Sequence, residues 1–144
     1  MSENRIVKPS DLKKITDDKE MAKVKEALDR HRKQQEEDNA LRQAFMEREL
    51  RPDAIERFNT RVRRAAEQGQ QDIEIGRFPS EYCTDRGRAI NNFEPGWPET
   101  LTGVARRAHD AFKQHLEPQG YKMRAQILNY PDGNLGEVGL YIAW

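Results

Sequence analysis

Apolar residues in the first fifty positions recur at helical spacing, but thinly. Leu12, Ile15, Met21, Val24 and Leu28 follow one another at intervals of 3, 6, 3 and 4. Pro9, Ser10 and Asp11 mark the helix start, with Ser10 as the expected N-cap and residues 1–9 as a flexible tail. Between Asp29 and Asn39 no apolar side chain appears, so that stretch stays helical only through charge pairs and buries nothing. The stripe resumes at Leu41, Phe45, Met46 and Leu50, and Pro52 forces a break. Apolar heptads are not sustained long enough for a coiled coil. Residues 10–50 therefore read as a helical arm, partly frayed, or as a helix that orders against a partner or a second copy of itself.

The pattern changes after Pro52. Asp53 is placed to cap a second helix, in which Ile55, Phe58, Val62, Ala65 and Ala66 form an amphipathic stripe and Gly69 closes the C-terminus. Asp72–Phe78 alternates polar and apolar, the mark of a strand with one buried face. Pro79 ends it, and Ser80-Glu81 opens a short helix expected to run to Ile90 or Asn91, with Tyr82 or Cys83, Gly87 and Ile90 facing inward. Gly87 inside that pattern predicts a bend or a close approach. Phe93 and Trp97 are expected to anchor the following connector on the core edge. A helix from Glu99 or Thr100 presents Leu101, Val104, Ala105, Ala108, Phe112 and Leu116 and ends before Pro118. Tyr121–Leu128 and Val138–Trp144 alternate again around a turn-rich loop, so they form an antiparallel pair that ends on a packed Trp144.

These elements sum to an α+β fold: a three-stranded, mostly antiparallel sheet in the order strand–helix–helix–strand–strand, packed by helices and preceded by the long N-terminal helical arm. The expected organisation is a tail over 1–9, the arm over 10–50 and a compact domain over 51–144.

Composition sharpens this picture. Of 144 residues, 35% are hydrophobic and 35% charged, too polar for a uniformly packed globule of that length. The net charge is zero, so no global field draws in nucleic acid or membrane. Locally, residues 1–50 balance 12 Lys/Arg against 12 Asp/Glu, residues 51–70 carry 5 against 3, and residues 71–144 carry 8 against 10. One cysteine excludes an internal disulfide and any zinc site that needs two thiolates. No apolar run is long enough to span a bilayer and no secretory leader is recognisable, which points to a cytoplasmic protein without a membrane partner.

Candidate chemistry is sparse. Cys83, in the first turn of the expected helix, is the one candidate nucleophile, with His109 or His115 as the base it would need; a small buried core residue is the simpler account. The two histidines are six apart and so do not share a helix face as a metal pair. Asp132-Gly133-Asn134 matches only part of a calcium loop, because position 139 is glycine where a glutamate would be required, and it reads as a hairpin turn. No phosphate loop, dinucleotide fingerprint or nucleophile elbow appears, and no cofactor is expected. Arg57, Arg61, Arg63 and Arg64 form a basic ridge that could contact phosphates, with a solvated helix face as the simpler account. Arg86 and Arg88, with Asn91 and Asn92, could grip an anion or a partner carboxylate; the structural alternative pairs Arg88 with Asp85 or with a strand-end carboxylate and closes the helix on an asparagine.

Several stretches of the chain carry a resemblance. Ala65-Ala66-Glu67-Gln68-Gly69 before one strand and Gln119-Gly120-Tyr121 before another, with Cys83–Asn92, Trp97-Pro98-Glu99-Thr100-Leu101 and a terminal strand ending in tryptophan, resemble small hypothetical proteobacterial and phage proteins over residues 60–144. That resemblance implies the α+β fold and brings no activity. The functional expectation is a non-enzymatic interaction or assembly protein whose arm binds a protein partner or self-associates. The alternative is a nucleic-acid-binding regulator using Arg57–Arg64, and the third reading is an enzyme using Cys83.

Overall fold

A computed structural model describes residues 5–144; residues 1–4 of the expected tail lie outside the described residues, and residues 5–8 carry no regular structure. Among the described residues the chain forms four α-helices and one three-stranded sheet: α1 (Pro9–Glu47), α2 (Ala54–Glu67), β1 (Asp72–Pro79), α3 (Arg88–Asn91), α4 (Gly103–Ala111), β2 (Lys122–Ile127) and β3 (Glu137–Ala143). A boundary between Leu41 and Arg42 divides it into two compact units.

In the first unit, α1 is continuous through the apolar-free run rather than frayed. Side-chain pairs one turn apart support it there, Gln34 donating to Asp38 at 2.9 Å and Arg32 lying 3.7 Å from Asp29. Its start differs from expectation. Pro9, not Asp11, opens the helix, and the Lys8 carbonyl accepts from the Asp11 and Leu12 amides at 3.0 and 3.2 Å. Ser10 is therefore already helical, because proline's fixed φ suits the first helical position and its missing N–H is no loss there.

The second unit begins with the last turn of α1, which ends at Glu47, five residues before Pro52. Arg107 stops it, its Nη1 donating to the carbonyls of Met46 and Arg48 at 2.9 and 2.8 Å. A guanidinium is a suitable partner for these carbonyls, which no further turn would satisfy. Phe45 packs against Phe78 and Tyr82, ring centroids 5.2 and 4.9 Å apart.

Asp53 stands at the N-cap of α2, but its carboxylate accepts from Arg51 Nε at 3.0 Å and not from a helix amide. The C-terminus of α2 closes as expected. Gly69 sits at φ 80, its N–H donates to Ala66 O, and the Gln70 N–H reaches back to Ala65 O. This is the paired bonding of a Schellman motif. The buried face of α2 is Phe58 and Ala65 with Ala54 and Val62 beside them; Ile55 and Ala66 are exposed.

The sheet order is β1-β3-β2 with both pairings antiparallel, so the last strand is the central one. Val138, Leu140 and Ile142 of β3 form the floor of the core, Val138 with no exposed surface at all. Simple alternation along β1 places Ile73, Ile75 and Arg77 on one side and Phe78 on the other. A bulge between Glu74 and Gly76 resolves this: Ile73 faces Ile142, Gly76 faces Leu140 and Phe78 faces Val138, leaving Ile75 as the extra residue. One inserted residue therefore brings Phe78 onto the core face, a burial worth roughly 2–3 kcal/mol. Two adjoining clusters result. Phe78, Tyr82, Cys83, Ile90, Leu101 and Ala105 gather over one end of β3, and Phe58, Ala65, Ile73 and Phe112 over the other. Arg124 reaches Asp72 at 2.8 Å and lies 4.5 Å over the Tyr141 ring.

Four further expectations are corrected. The helix over Ser80–Asn91 is broken into a 3₁₀ turn (Ser80–Tyr82), a turn with Arg86 and Gly87 both at positive φ, and the single-turn α3. Gly87 takes φ 88, and a Cβ there would lie 2.9 Å from the Ser80 side chain, so it is both a break and a close approach. Phe93, at φ 56, is 84% exposed and anchors nothing, whereas Trp97 packs on the core. Leu101 precedes α4 in extended conformation; Thr102 is its N-cap and Gly103 its first residue. Trp144 is 42% exposed beyond the end of β3, its N–H donating to Gln71 O.

Candidate functional site

The broken segment after β1 encloses one side of an open concavity of about 720 Å³. Its floor is fixed by backbone bonding. Ser80 N–H donates to Gly136 O and its hydroxyl to Leu135 O at 2.9 Å, while Thr84 N–H donates to Thr100 O and the Thr102 hydroxyl to Tyr82 O. Asp85 organises the turn: one carboxylate oxygen accepts from Gly87 N–H at 2.9 Å, the other from Ala89 N–H at 2.8 Å. Both oxygens thus serve the start of α3, where a carboxylate satisfies amides that the helix itself leaves unbonded.

Neither predicted pairing of Arg88, with Asp85 or with a strand-end carboxylate, is formed among the described residues. Arg86 and Arg88 both line the concavity, and Arg42, from the C-terminal part of α1, joins them with its guanidinium 5.6 Å from the Tyr82 ring centroid. Among the described residues none of these three arginines has a carboxylate within 4.0 Å. Of the asparagines grouped with them, Asn91 accepts from the Tyr130 hydroxyl at 2.9 Å and Asn92 closes α3. Arg42 was not legible as a member of this group. The only signal is that the apolar stripe resumes beside it at Leu41 and Phe45, which marks that turn as packed.

Cys83 is 3% exposed, extended in backbone and part of the hydrophobic cluster, not in the first turn of a helix. Burial pushes its thiol up to about 11, against a hydrogen bond with Thr100 that acts the other way. A nucleophile needs the thiolate, and this environment holds the thiol. His109 packs at 6.0 Å against Trp97 and 6.3 Å from Phe112, and burial lowers its pKa; it is held by aromatic rings rather than aimed at Cys83. Among the described residues no three His, Cys, Asp or Glu side chains converge as a metal site, and no helix is long and apolar enough to cross a membrane.

The ridge residues Arg57, Arg61, Arg63 and Arg64 are all exposed. Arg61 donates to Glu74 O at 2.5 Å, capping the carbonyl beside the β1 bulge. Arg57 and Arg61 also rim an apolar groove of about 260 Å³ floored by Phe58, Ile75, Phe112 and Ile142. At 100° per residue Arg57, Arg61 and Arg64 share one side of α2, and Arg63 projects away from them.

Along the arm, Leu12, Ile15, Met21, Val24, Leu28 and Leu41 are each more than half exposed, and no residue of α1 is fully buried. The 120° offset between Ile15 and Met21 splits these side chains into two patches rather than one seam.

Comparison with protein-family models, with curated proteins and with solved structures yields no match.

Proposed function

We propose that this protein is a non-enzymatic interaction or assembly module whose N-terminal arm binds a helix of a partner or of a second copy. The observation that supports this reading is the arm itself: α1 presents six large apolar side chains to solvent and fully buries nothing. A helix polar enough to stay soluble yet studded with Leu, Ile, Met and Val gains stability from tertiary partners rather than from propensity. Charge over residues 1–50 is balanced, 12 against 12, so two arms brought together meet no net repulsion. The test is mass measurement by light scattering on the full chain, alone and with lysate, combined with limited proteolysis of the arm. The expected result is a species heavier than the 16.8 kDa monomer, or an arm that becomes protected. Replacing Met21, Val24 and Leu28 by serine should abolish it. A strict monomer whose arm stays open to protease under every condition would overturn the proposal.

A second reading, nucleic-acid binding through the α2 ridge, draws on Arg57, Arg61 and Arg64, exposed on one side of the helix. Three or four neutralised phosphates correspond to a salt slope of roughly −3 to −4 on duplex DNA. No binding at about 50 mM salt, or binding indifferent to Arg57, Arg61 and Arg64 becoming alanine, removes it.

A further inference from the structure

We propose that the concavity beside α3 is a binding site for a phosphoryl group, either inorganic phosphate or the terminal phosphate of a small monoester, gripped by Arg42, Arg86 and Arg88. This is independent of the arm-based reading and uses residues that reading leaves without a role.

Three features of the site support it. The first is unneutralised charge. Two carboxylates line the concavity with the three arginines, but Asp85 holds the Gly87 and Ala89 amides with both oxygens and cannot turn to pair without undoing the start of α3. Glu81 is exposed and has no arginine within 4.0 Å. The second is positioning. Arg42 lies against the Tyr82 ring, and Arg86 occupies φ 60, which for a residue with a side chain costs about 1–2 kcal/mol relative to a right-handed conformation. Hydrogen bonds flank it on both sides, Arg86 N–H donating to Cys83 O at 3.1 Å and Gly87 N–H to the Asp85 carboxylate at 2.9 Å. The third is capacity. About 720 Å³ falls in the roughly 300–1,000 Å³ range of small-ligand sites, and Thr84 also lines it.

The number of acceptor oxygens selects the ligand class. Guanidinium forks bind oxyanions two hydrogen bonds at a time. Three forks exceed what a carboxylate or a phosphodiester, each with two free oxygens, can satisfy. A phosphate monoester offers three such oxygens and close to two negative charges at neutral pH.

Isothermal titration calorimetry on the full chain in about 50 mM salt tests this with three probes: potassium phosphate, phosphoserine and dimethyl phosphate. The expected result is saturable one-to-one binding of phosphate and phosphoserine with Kd at or below about 1 mM. Dimethyl phosphate should be at least about tenfold weaker, one charge and one oxygen poorer. Phosphoserine tighter than phosphate identifies an ester as the better ligand; the reverse identifies the free ion. Arg86→Ala and Arg88→Ala should each weaken binding about tenfold or more, and Arg30→Ala, exposed on α1 and outside the lining of the concavity, should leave it unchanged. Arg42→Ala guards against loss of fold, since Arg42 lies outside the turn and meets it only through the Tyr82 ring, and it should weaken binding while the melt stays cooperative. No saturable heat up to about 20 mM phosphate, far above that Kd, overturns the site. So does wild-type affinity in a folded Arg42→Ala or Arg88→Ala variant, or a diester that binds as well as the monoester.

Discussion

Gly103→Ala is the sharpest probe of how the second unit is assembled. Gly103 opens α4 at φ 55, and a Cβ there would lie 2.6 Å from Phe45 O, 2.9 Å from Met46 Cα and 2.9 Å from the Phe45 ring. Two of the three atoms are backbone, so the end of α1 itself would have to move. Such a shift breaks the Arg107 hydrogen bonds to Met46 and Arg48 and draws Phe45 away from Phe78 and Tyr82. The conformational part of the cost is about 1–2 kcal/mol for a left-handed alanine. The steric part is a further ~1–3 kcal/mol, as for overpacked cores. Gly69→Ala separates the two, because Gly69 has φ 80 and open space within 4 Å, so it carries the conformational part alone. Urea melts of the wild type and both variants, followed by far-UV circular dichroism at a common m-value, give the comparison. Gly103→Ala should be the more destabilising by about 1–3 kcal/mol. Equal losses in the two variants would falsify the packing of the α1 end on Gly103.

Three further outcomes are expected. The Cys83 thiol, raised to about 11 by burial, should resist alkylation at pH 8 until urea unfolds the chain; because the unfolded thiol ionises near 9 and the folded one later, stability should fall as pH rises from about 9 to 11, on the order of 1–3 kcal/mol, and Cys83→Ser should flatten that slope. His109 has the opposite sense: its pKa is lowered by burial, so the unfolded state takes up the proton first and stability should decline as pH falls below 6.5, a dependence that His109→Gln should remove from pH-resolved melts. Asp85→Ala leaves the Gly87 and Ala89 amides without their acceptor and should cost about 0.5–2 kcal/mol in the same melts, whereas a loss confined to anion binding would show that those two bonds do not support the turn.

What could be read in the sequence, and what could not, follows from the range of the interactions involved. The α2 cap at Gly69, the alternation of β2 and β3 and the core face Val138, Leu140 and Ile142 are set by residues within a few positions of one another, and periodicity exposes them directly. β1 was legible as a strand but its register was not, since Phe78 reaches the core only through the bulge at Ile75, and a bulge is defined by the partner strand. The junction from Ser80 to Asn91 misled for a related reason. Its apolar residues stand at near-helical spacing, yet Tyr82, Cys83 and Ile90 are buried by a turn whose shape depends on Asp85 bonding two amides and on Leu135 and Gly136 bonding Ser80 from the far end of the chain. The candidate anion site lies beyond local reading altogether. Arg86 and Arg88 could be named as a pair from their neighbourhood, but Arg42 joins them across more than forty residues because Phe45, one helical turn on, is held between Phe78 and Tyr82. The aromatic contact that anchors the end of α1 is therefore also what brings the third guanidinium to the concavity, so loss of Phe45 should weaken both stability and anion binding, while loss of Arg42 should weaken binding and leave the melt cooperative.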